Sequence, residues 1–145
     1  NNLKEIINEV LLLFKQAHKD IKFKHTSRDG IPIMNLDRDQ IKRVMINLFQ
    51  NAVSAIETSG NGGEVVVKTE YNDELQMVTI EVTDTGCGIP EEDKSRLFEP
   101  YFSTKKSGTG LGLAIVNTII SDHNGYIRVK DNQPKGTKLI IELPV

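Results

Sequence analysis

Two asparagines on a predicted helix are the first residues whose type and spacing could do chemistry. Asn47 and Asn51 are four residues apart, so their amides lie one above the other on one helix face. Their neutral carbonyl oxygens could coordinate a hard cation such as Mg²⁺, which keeps waters and substrate phosphates in its shell. For the pair alone, a hydrogen bond from each amide to a neighbouring loop is the simpler interpretation.

A carboxylate at the end of a predicted strand is the second candidate. Asp84 opens the sequence Asp-Thr-Gly-Cys-Gly, in which the glycines permit close backbone approach. A buried carboxylate that accepts from an exocyclic amine would select adenine, because guanine has a carbonyl at the equivalent ring position. An Asx turn is the alternative and the commoner fate of Asp-x-Gly. No base near Cys87 in the sequence would activate its thiol, so a small filler is favoured over a nucleophile.

The third candidate is the glycine-rich segment Gly108–Leu113, which begins a predicted helix. Backbone amides and the positive end of the helix dipole can hold phosphates there. The alternating glycines and the polar residues 103–106 before them argue against a dinucleotide fingerprint, and the sequence has no GxxxxGK[ST] loop. Lys105 and Lys106 could neutralise phosphate oxygens, although two exposed lysines usually belong to a solvated loop.

Length and charge restrict the class of protein. The 145 residues suffice for one domain, and 18 Lys+Arg against 20 Asp+Glu gives no electrostatic reason to expect nucleic-acid binding. One cysteine and three histidines without metal-ligand spacing indicate a reducing, cytoplasmic setting. The longest apolar run, Val10–Phe14, is far shorter than the about 20 residues of a membrane span, so we expect no direct membrane contact from this domain. The chain does not begin with Met, which leads us to expect a longer parent protein with its membrane attachment open.

Hydrophobic periodicity predicts the elements that must position these residues. Asp37 is the expected N-cap of the second helix, with Gln40 as its capping-box partner. The predicted fold class is α/β (α+β), a two-layer sandwich with about three main helices on one face of a mixed, mostly antiparallel sheet. The predicted helices span residues 2–18, 38–59 and 111–123, and the predicted strands span 21–26, 31–36, 64–71, 75–83, 126–130 and 137–143.

In this order, the segments resemble the catalytic ATP-binding domain of sensor histidine kinases, within the superfamily that includes DNA gyrase and MutL and shares the Bergerat-type fold. Asn47–Ala52 resembles the N box of that family and Asp84–Gly88 its first glycine box. Leu97–Phe102 resembles the F box and Gly108–Leu113 the second glycine box. Gly136-Thr137 resembles a later element near the adenine. The resemblance implies a single catalytic domain over residues 1–145 that uses ATP and Mg²⁺.

The resemblance also implies a role for each matching residue. Asn51 would hold Mg²⁺, Asp84 would accept from the adenine amine, and Lys105 would meet the γ-phosphate beside Asn47. Gyrase-like ATPases carry a glutamate at the position of Asn47 to activate water, and a neutral amide cannot act as that base. This favours phosphoryl transfer over hydrolysis. The other implied nucleotide contacts are Gly86, Gly88, Ile89, Gly108, Thr109, Gly110, Leu111, Gly112, Leu113 and Thr137.

The implied partners lie outside this chain. None of its histidines stands in the His-Glu-x-x-x-Pro context of a phosphoacceptor helix, so the expected substrate is a histidine on an upstream dimerisation domain that also forms the homodimer. A response regulator is the expected next partner. Ser54 replaces a lysine found in many members, and the segment between Phe102 and Gly108 is short; both features resemble the nitrogen-regulation type.

Two other functions share parts of this pattern. Serine kinases of the anti-sigma-factor type have the same fold, but they usually keep a glutamate at the position of Asn47 and lack this F box. A nucleotide-sensing module without transfer activity would keep the same adenine and phosphate elements. We expect high mobility in residues 103–110, where glycine, serine and lysine dominate.

Overall fold

The structure is a computed structural model that describes residues 2–28, 30–60, 62–99 and 112–145. The helices of this part of the chain pack on one five-stranded mixed sheet, so the predicted two-layer fold class is confirmed. The helices are α1 (Leu3–Ala17), α2 (Arg38–Ser59), α3 (Glu91–Lys94) and α4 (Gly112–Asp122), and the strands are β1 (Ile21–Ser27), β2 (Gly63–Asn72), β3 (Met77–Asp84), β4 (Tyr126–Asp131) and β5 (Thr137–Pro144).

β3 is the central strand of the sheet, so its last residue lies between the ends of β2 and β5. The strands follow the order β1-β2-β3-β5-β4, with β1 parallel to β2 and the other neighbours antiparallel. Because β3 runs antiparallel to both β2 and β5, its last residue, Asp84, pairs with Val65 near the start of β2. On the other side, β5 begins at Thr137, next to the same residue.

The core lies between this sheet and the long helices. Val78, Ile80 and Val82 alternate along β3 and are buried, as expected for a strand with one covered face. Phe14 of α1 packs on Phe49 of α2 with ring centroids 5.4 Å apart, so the aromatic contact ties the two helices together. The buried residues of α2 are Ile41, Val44, Met45, Leu48, Phe49, Ala52, Val53 and Ile56.

Two of the predicted strands differ from the structure. Residues 31–36 form no strand, although Met34 is buried and Ile33 is 78% exposed. The alternation arises because the segment lays every second side chain on the core without joining a ladder, and Pro32 has no N–H to donate to one. The hairpin turn is also longer than predicted, because Asn72 accepts from the N–H of Leu75 and β3 begins only at Met77.

The start of α2 is capped differently from the predicted capping box. Asp37 is the N-cap, and its side chain accepts from the N–H of Gln40 at 3.1 Å. Its own N–H, however, donates to Nε2 of His123 at 3.1 Å. Nδ1 of that imidazole donates to the carbonyl of Ile119 at 2.9 Å. The reciprocal half of the capping box therefore comes from the end of α4.

Candidate functional site

The two asparagines lie on one face of α2, next to the start of α4. Asn47 and Asn51 are both half-buried. A Cβ on Gly112, the first residue of α4, would lie 3.8 Å from Oδ1 of Asn47. The N-terminus of α4 therefore meets the asparagine face of α2, and a phosphate held by helix N–H groups there would be close to the amide oxygens.

Asp84 is buried, with a side chain held by backbone donors. It is 7% exposed, and its Oδ1 accepts from the N–H of Gly86 at 2.9 Å and from that of Thr137 at 3.3 Å. The first of these bonds is the Asx turn that the sequence left open as an alternative. An ionised carboxylate can accept about four hydrogen bonds, so an Asx turn and recognition of an amine are compatible at one side chain.

The loop after Asp84 is locked onto α2 one turn beyond Asn51. A Cβ on Gly86 would lie 2.5 Å from the carbonyl carbon of Ala55, so glycine alone fits without displacing the helix backbone. The N–H of Cys87 donates to the carbonyl of Ala55 at 3.1 Å. These contacts hold the carboxylate and the asparagine face in one fixed relation.

The turn between β4 and β5 closes over the same strand end. Gly136 has a φ of 107°, and a Cβ there would lie 1.9 Å from the carbonyl oxygen of Asp84. The side chain of Asn132 donates through Nδ2 to that carbonyl at 3.0 Å and to the carbonyl of Lys135 at 3.1 Å. The sequence interpretation missed Asn132, because asparagine in a turn is common for local reasons alone.

An open cleft of about 390 Å³ lies beside this turn, between Cys87–Pro90 and Asp131–Gly136. Gly88 and Ile89 line it, and both were predicted as nucleotide contacts. Lys94 of α3 pairs with Asp131 at 2.8 Å on the edge of the cleft. The hydrogen bonds to Asp131 and, secondarily, to Glu91 raise the pKa of Lys94 above its ordinary value.

Part of the predicted site falls outside the described residues. The predicted contacts outside these ranges are Lys105, Gly108, Thr109, Gly110 and Leu111. The expectation of mobility in residues 103–110 also concerns residues outside these ranges. Gly112 and Leu113 begin α4, and Leu113 packs on the core. Among the described residues, no group of three or more His, Cys, Asp or Glu side chains could hold a metal. No helix in the same ranges is long and apolar enough to cross a bilayer.

The profile of the family described as "Histidine kinase-, DNA gyrase B-, and HSP90-like ATPase" matches residues 36–145. The chain belongs to this ATPase family. Membership in it implies that the domain uses ATP. The resemblance to histidine kinase catalytic domains rested on the four boxes and the Gly136-Thr137 element, and relatives that carry that name confirm it.

Among these relatives is the sensor histidine kinase ZraS of Escherichia coli (strain K12), 36% identical over 146 residues. The match covers 99% of this chain and 30% of the relative, so the chain spans about a third of its length. The solved catalytic domain of histidine kinase ThkA has a TM-score of 0.85 and 38% identity, with 99% of this chain and 93% of that one covered. The structure of histidine kinase ThkA in complex with the response regulator protein TrrA gives a TM-score of 0.80 and 36% identity, with 99% of this chain and 40% of that chain covered.

Proposed function

We propose that this domain binds Mg-ATP and transfers the γ-phosphoryl group to a histidine on the dimerisation domain of a sensor kinase. The observation that carries the proposal is the buried Asp84, fixed by two backbone N–H groups beside the asparagine face of α2. The likeness to nearly the whole catalytic domain of ThkA supports it.

Asp84 is the proposed adenine contact. Burial makes a carboxylate discriminating, because an unmatched ligand would leave a desolvated charge without compensation. The adenine 6-amino group can donate to it, whereas a 6-carbonyl would set acceptor against acceptor. Gly86, Gly88, Ile89 and Thr137 are the residues we propose around the base.

The phosphates are proposed to lie between α2 and the N-terminus of α4. Amide oxygens are hard, neutral donors that suit Mg²⁺, and the closeness of Asn47 to Gly112 leaves the two elements in reach of one phosphate chain. Asn51 would hold the ion, which when bound neutralises charge on the phosphate oxygens. We propose Gly108, Thr109, Gly110, Leu111, Gly112 and Leu113 as further phosphate-side contacts.

Asn47 favours transfer over hydrolysis, because a neutral amide cannot activate water as a general base. Phosphoryl transfer needs little covalent chemistry from the protein beyond positioning and charge stabilisation. A nitrogen of the acceptor imidazole forms the new bond to the γ-phosphorus while the bond to the bridging oxygen breaks and ADP leaves. Asn47 would orient the phosphate by hydrogen bonding, and Lys105 would stabilise its developing charge.

The proposed partners are separate domains and proteins. An upstream dimerisation domain would supply the phosphoacceptor histidine and form the homodimer, which fits relatives about three times as long as this chain. A response regulator would receive the phosphoryl group next, as suggested by the solved complex of ThkA with TrrA. We propose the cytoplasm as the compartment, consistent with an exposed free cysteine.

Phosphotransfer between separated domains tests this function. The chain would be mixed with γ-labelled ATP and a separately produced phosphoacceptor domain, with the same domain carrying a His→Gln change as the control. We expect acid-labile, base-stable label on the intact acceptor and none on the control. Acid-stable label on serine would indicate the serine kinase instead, and ATP binding without transfer to any histidine acceptor would indicate a nucleotide sensor.

A further inference from the structure

The turn between β4 and β5 is held together by one asparagine. The backbone N–H of Asn132 donates to the carbonyl of Gly136 at 3.0 Å. Its side-chain Nδ2 donates to the carbonyl of Lys135 at 3.1 Å and crosses to the carbonyl of Asp84 at 3.0 Å. One amide group therefore closes the turn and binds the closed turn to the end of β3.

The attachment of the turn to β3 affects the Asp84 carboxylate, because the turn also contacts Asp84 through Gly136 and Thr137. Gly136 packs against the Asp84 carbonyl so closely that a Cβ would lie 1.9 Å from the oxygen. The next residue, Thr137, donates its N–H to Oδ1 of Asp84 at 3.3 Å. At that length the bond is slightly longer than the usual N–H···O range, so a small shift of the turn would remove it.

The other bond to Oδ1 depends much less on the turn. Gly86 is only two residues from Asp84, and its N–H lies 2.9 Å from the oxygen. The N–H of Thr137 reaches the same oxygen from a different segment of the chain. The direction in which Oδ1 is held therefore depends on the turn as well as on Gly86.

We propose that Asn132 is a positioning residue that acts through Gly136 and Thr137 to hold the Asp84 carboxylate in the orientation that selects a 6-aminopurine. The proposal deepens the proposed function and rests on its assignment of Asp84 to adenine. Asn132 itself does not contact the nucleotide. Its effect is on selectivity between purines, beyond any effect on the stability of the turn.

Two nucleotides that differ at position 6 separate these effects. Dissociation constants for ATP and for inosine triphosphate, which has a carbonyl in place of the 6-amino group, would be measured by calorimetry on the chain and its variants. Asn132→Ala is expected to lower the preference for ATP by about 3 to 10-fold, the range for weakening one hydrogen bond. An unchanged ratio of the two dissociation constants would overturn the proposal, whether or not both affinities fall.

Asn72 offers a matched control at the opposite end of the sheet. Its side chain also holds a turn, by accepting from the N–H of Leu75 at 3.1 Å. Asn72→Ala should lower the melting temperature in the same way but leave the ratio of the two constants unchanged. Should Asn132→Ala not fold, the milder Asn132→Ser, which keeps one donor but cannot bond both carbonyl oxygens, must lower the ratio as well. An unchanged ratio in that variant would count against the proposal.

A double variant distinguishes failure here from failure of the proposed function. Asp84→Asn should abolish most of the preference for ATP, and adding Asn132→Ala should then change the ratio no further. A further drop of the same size would show that Asn132 acts independently of Asp84 and would overturn the positioning role. If Asp84→Asn itself left the preference intact, the adenine assignment would be wrong, whatever Asn132 does.

Discussion

At the scale of single residues, the charge of Asp84 and its hydrogen-bonding geometry can be separated. Asp84→Asn keeps an oxygen that can accept from Gly86 and Thr137, so we expect the fold to persist. The variant loses the charge and with it a charge-assisted hydrogen bond of about 1.5 to 3 kcal/mol, so ATP binding should weaken by roughly 10 to 100-fold. Calorimetry would measure the dissociation constant for ATP. An unchanged affinity in a folded variant would contradict the assignment of Asp84 to adenine.

Gly136 and Gly30 form a natural pair for the next prediction. Both have left-handed φ values, 107° and 91°, so an alanine at either is strained by roughly 1 to 2 kcal/mol. A Cβ on Gly30 meets nothing within 4 Å, whereas one on Gly136 collides with the Asp84 carbonyl. Chemical denaturation should show Gly136→Ala losing more stability than Gly30→Ala by at least about 1 kcal/mol. Equal losses would mean that the contact with Asp84 does not constrain the turn.

At the scale of elements, the junction of α2 and α4 depends on His123. Its imidazole accepts from the N–H of Asp37 and donates to the carbonyl of Ile119, so it joins the start of one helix to the end of the other. His123→Ala removes both bonds, and we expect a loss of about 1 to 3 kcal/mol in the free energy of unfolding. Gln40→Ala should cost less than about 0.5 kcal/mol, because Gln40 contributes only its backbone N–H to the cap. Urea denaturation would measure both losses. If Gln40→Ala cost more stability than His123→Ala, the predicted capping box would be supported instead.

Local patterns predicted the elements whose causes are local. The limits of α1 and α2 were predicted to within a residue or two, because an apolar stripe at helical spacing and an N-cap residue are visible in a short window. Residues 31–36 were predicted wrongly, since alternating burial arises both from strand pairing and from an extended segment laid on a core. The short helix α3 was not predicted, because four residues are too few to show a period.

At the scale of the whole molecule, the site assembles from segments far apart in the chain. The motifs identified Asn47, Asn51 and Asp84 one by one, since each lies in a recognisable short pattern. Asn132 is 48 residues from Asp84, and its contact depends on which strands become neighbours in the sheet. Residue type and spacing around Asn132 do not show that pairing, so its contact with the candidate site could not be predicted. The candidate residues themselves could be named, because each lies in a short motif.

The stability of the whole domain should depend on pH through His25, which joins α1, β1 and β2. The amide oxygen of Asn8 can only accept, so Nδ1 donates to it at 2.7 Å. Nε2 then accepts from the hydroxyl of Thr69 at 3.2 Å. This arrangement suits the neutral imidazole. Burial, and then the charge of Lys4, lowers the pKa of His25 below its ordinary value.

Because the pKa of His25 is lower in the folded chain, the unfolded chain binds the proton first as pH falls below about 6.5. The free energy of unfolding should therefore decrease with falling pH in the window that begins at about 6.5, the pKa in the unfolded chain. Glu9 and Glu70 do not interfere, because Lys42 and Lys68 lower the pKa of these carboxylates below 4.5, and what they contribute to stability is lost only at lower pH. Urea denaturation of the chain and of His25→Gln at several pH values would check this. The variant should show a smaller slope in that window, and identical slopes would mean that another group is responsible.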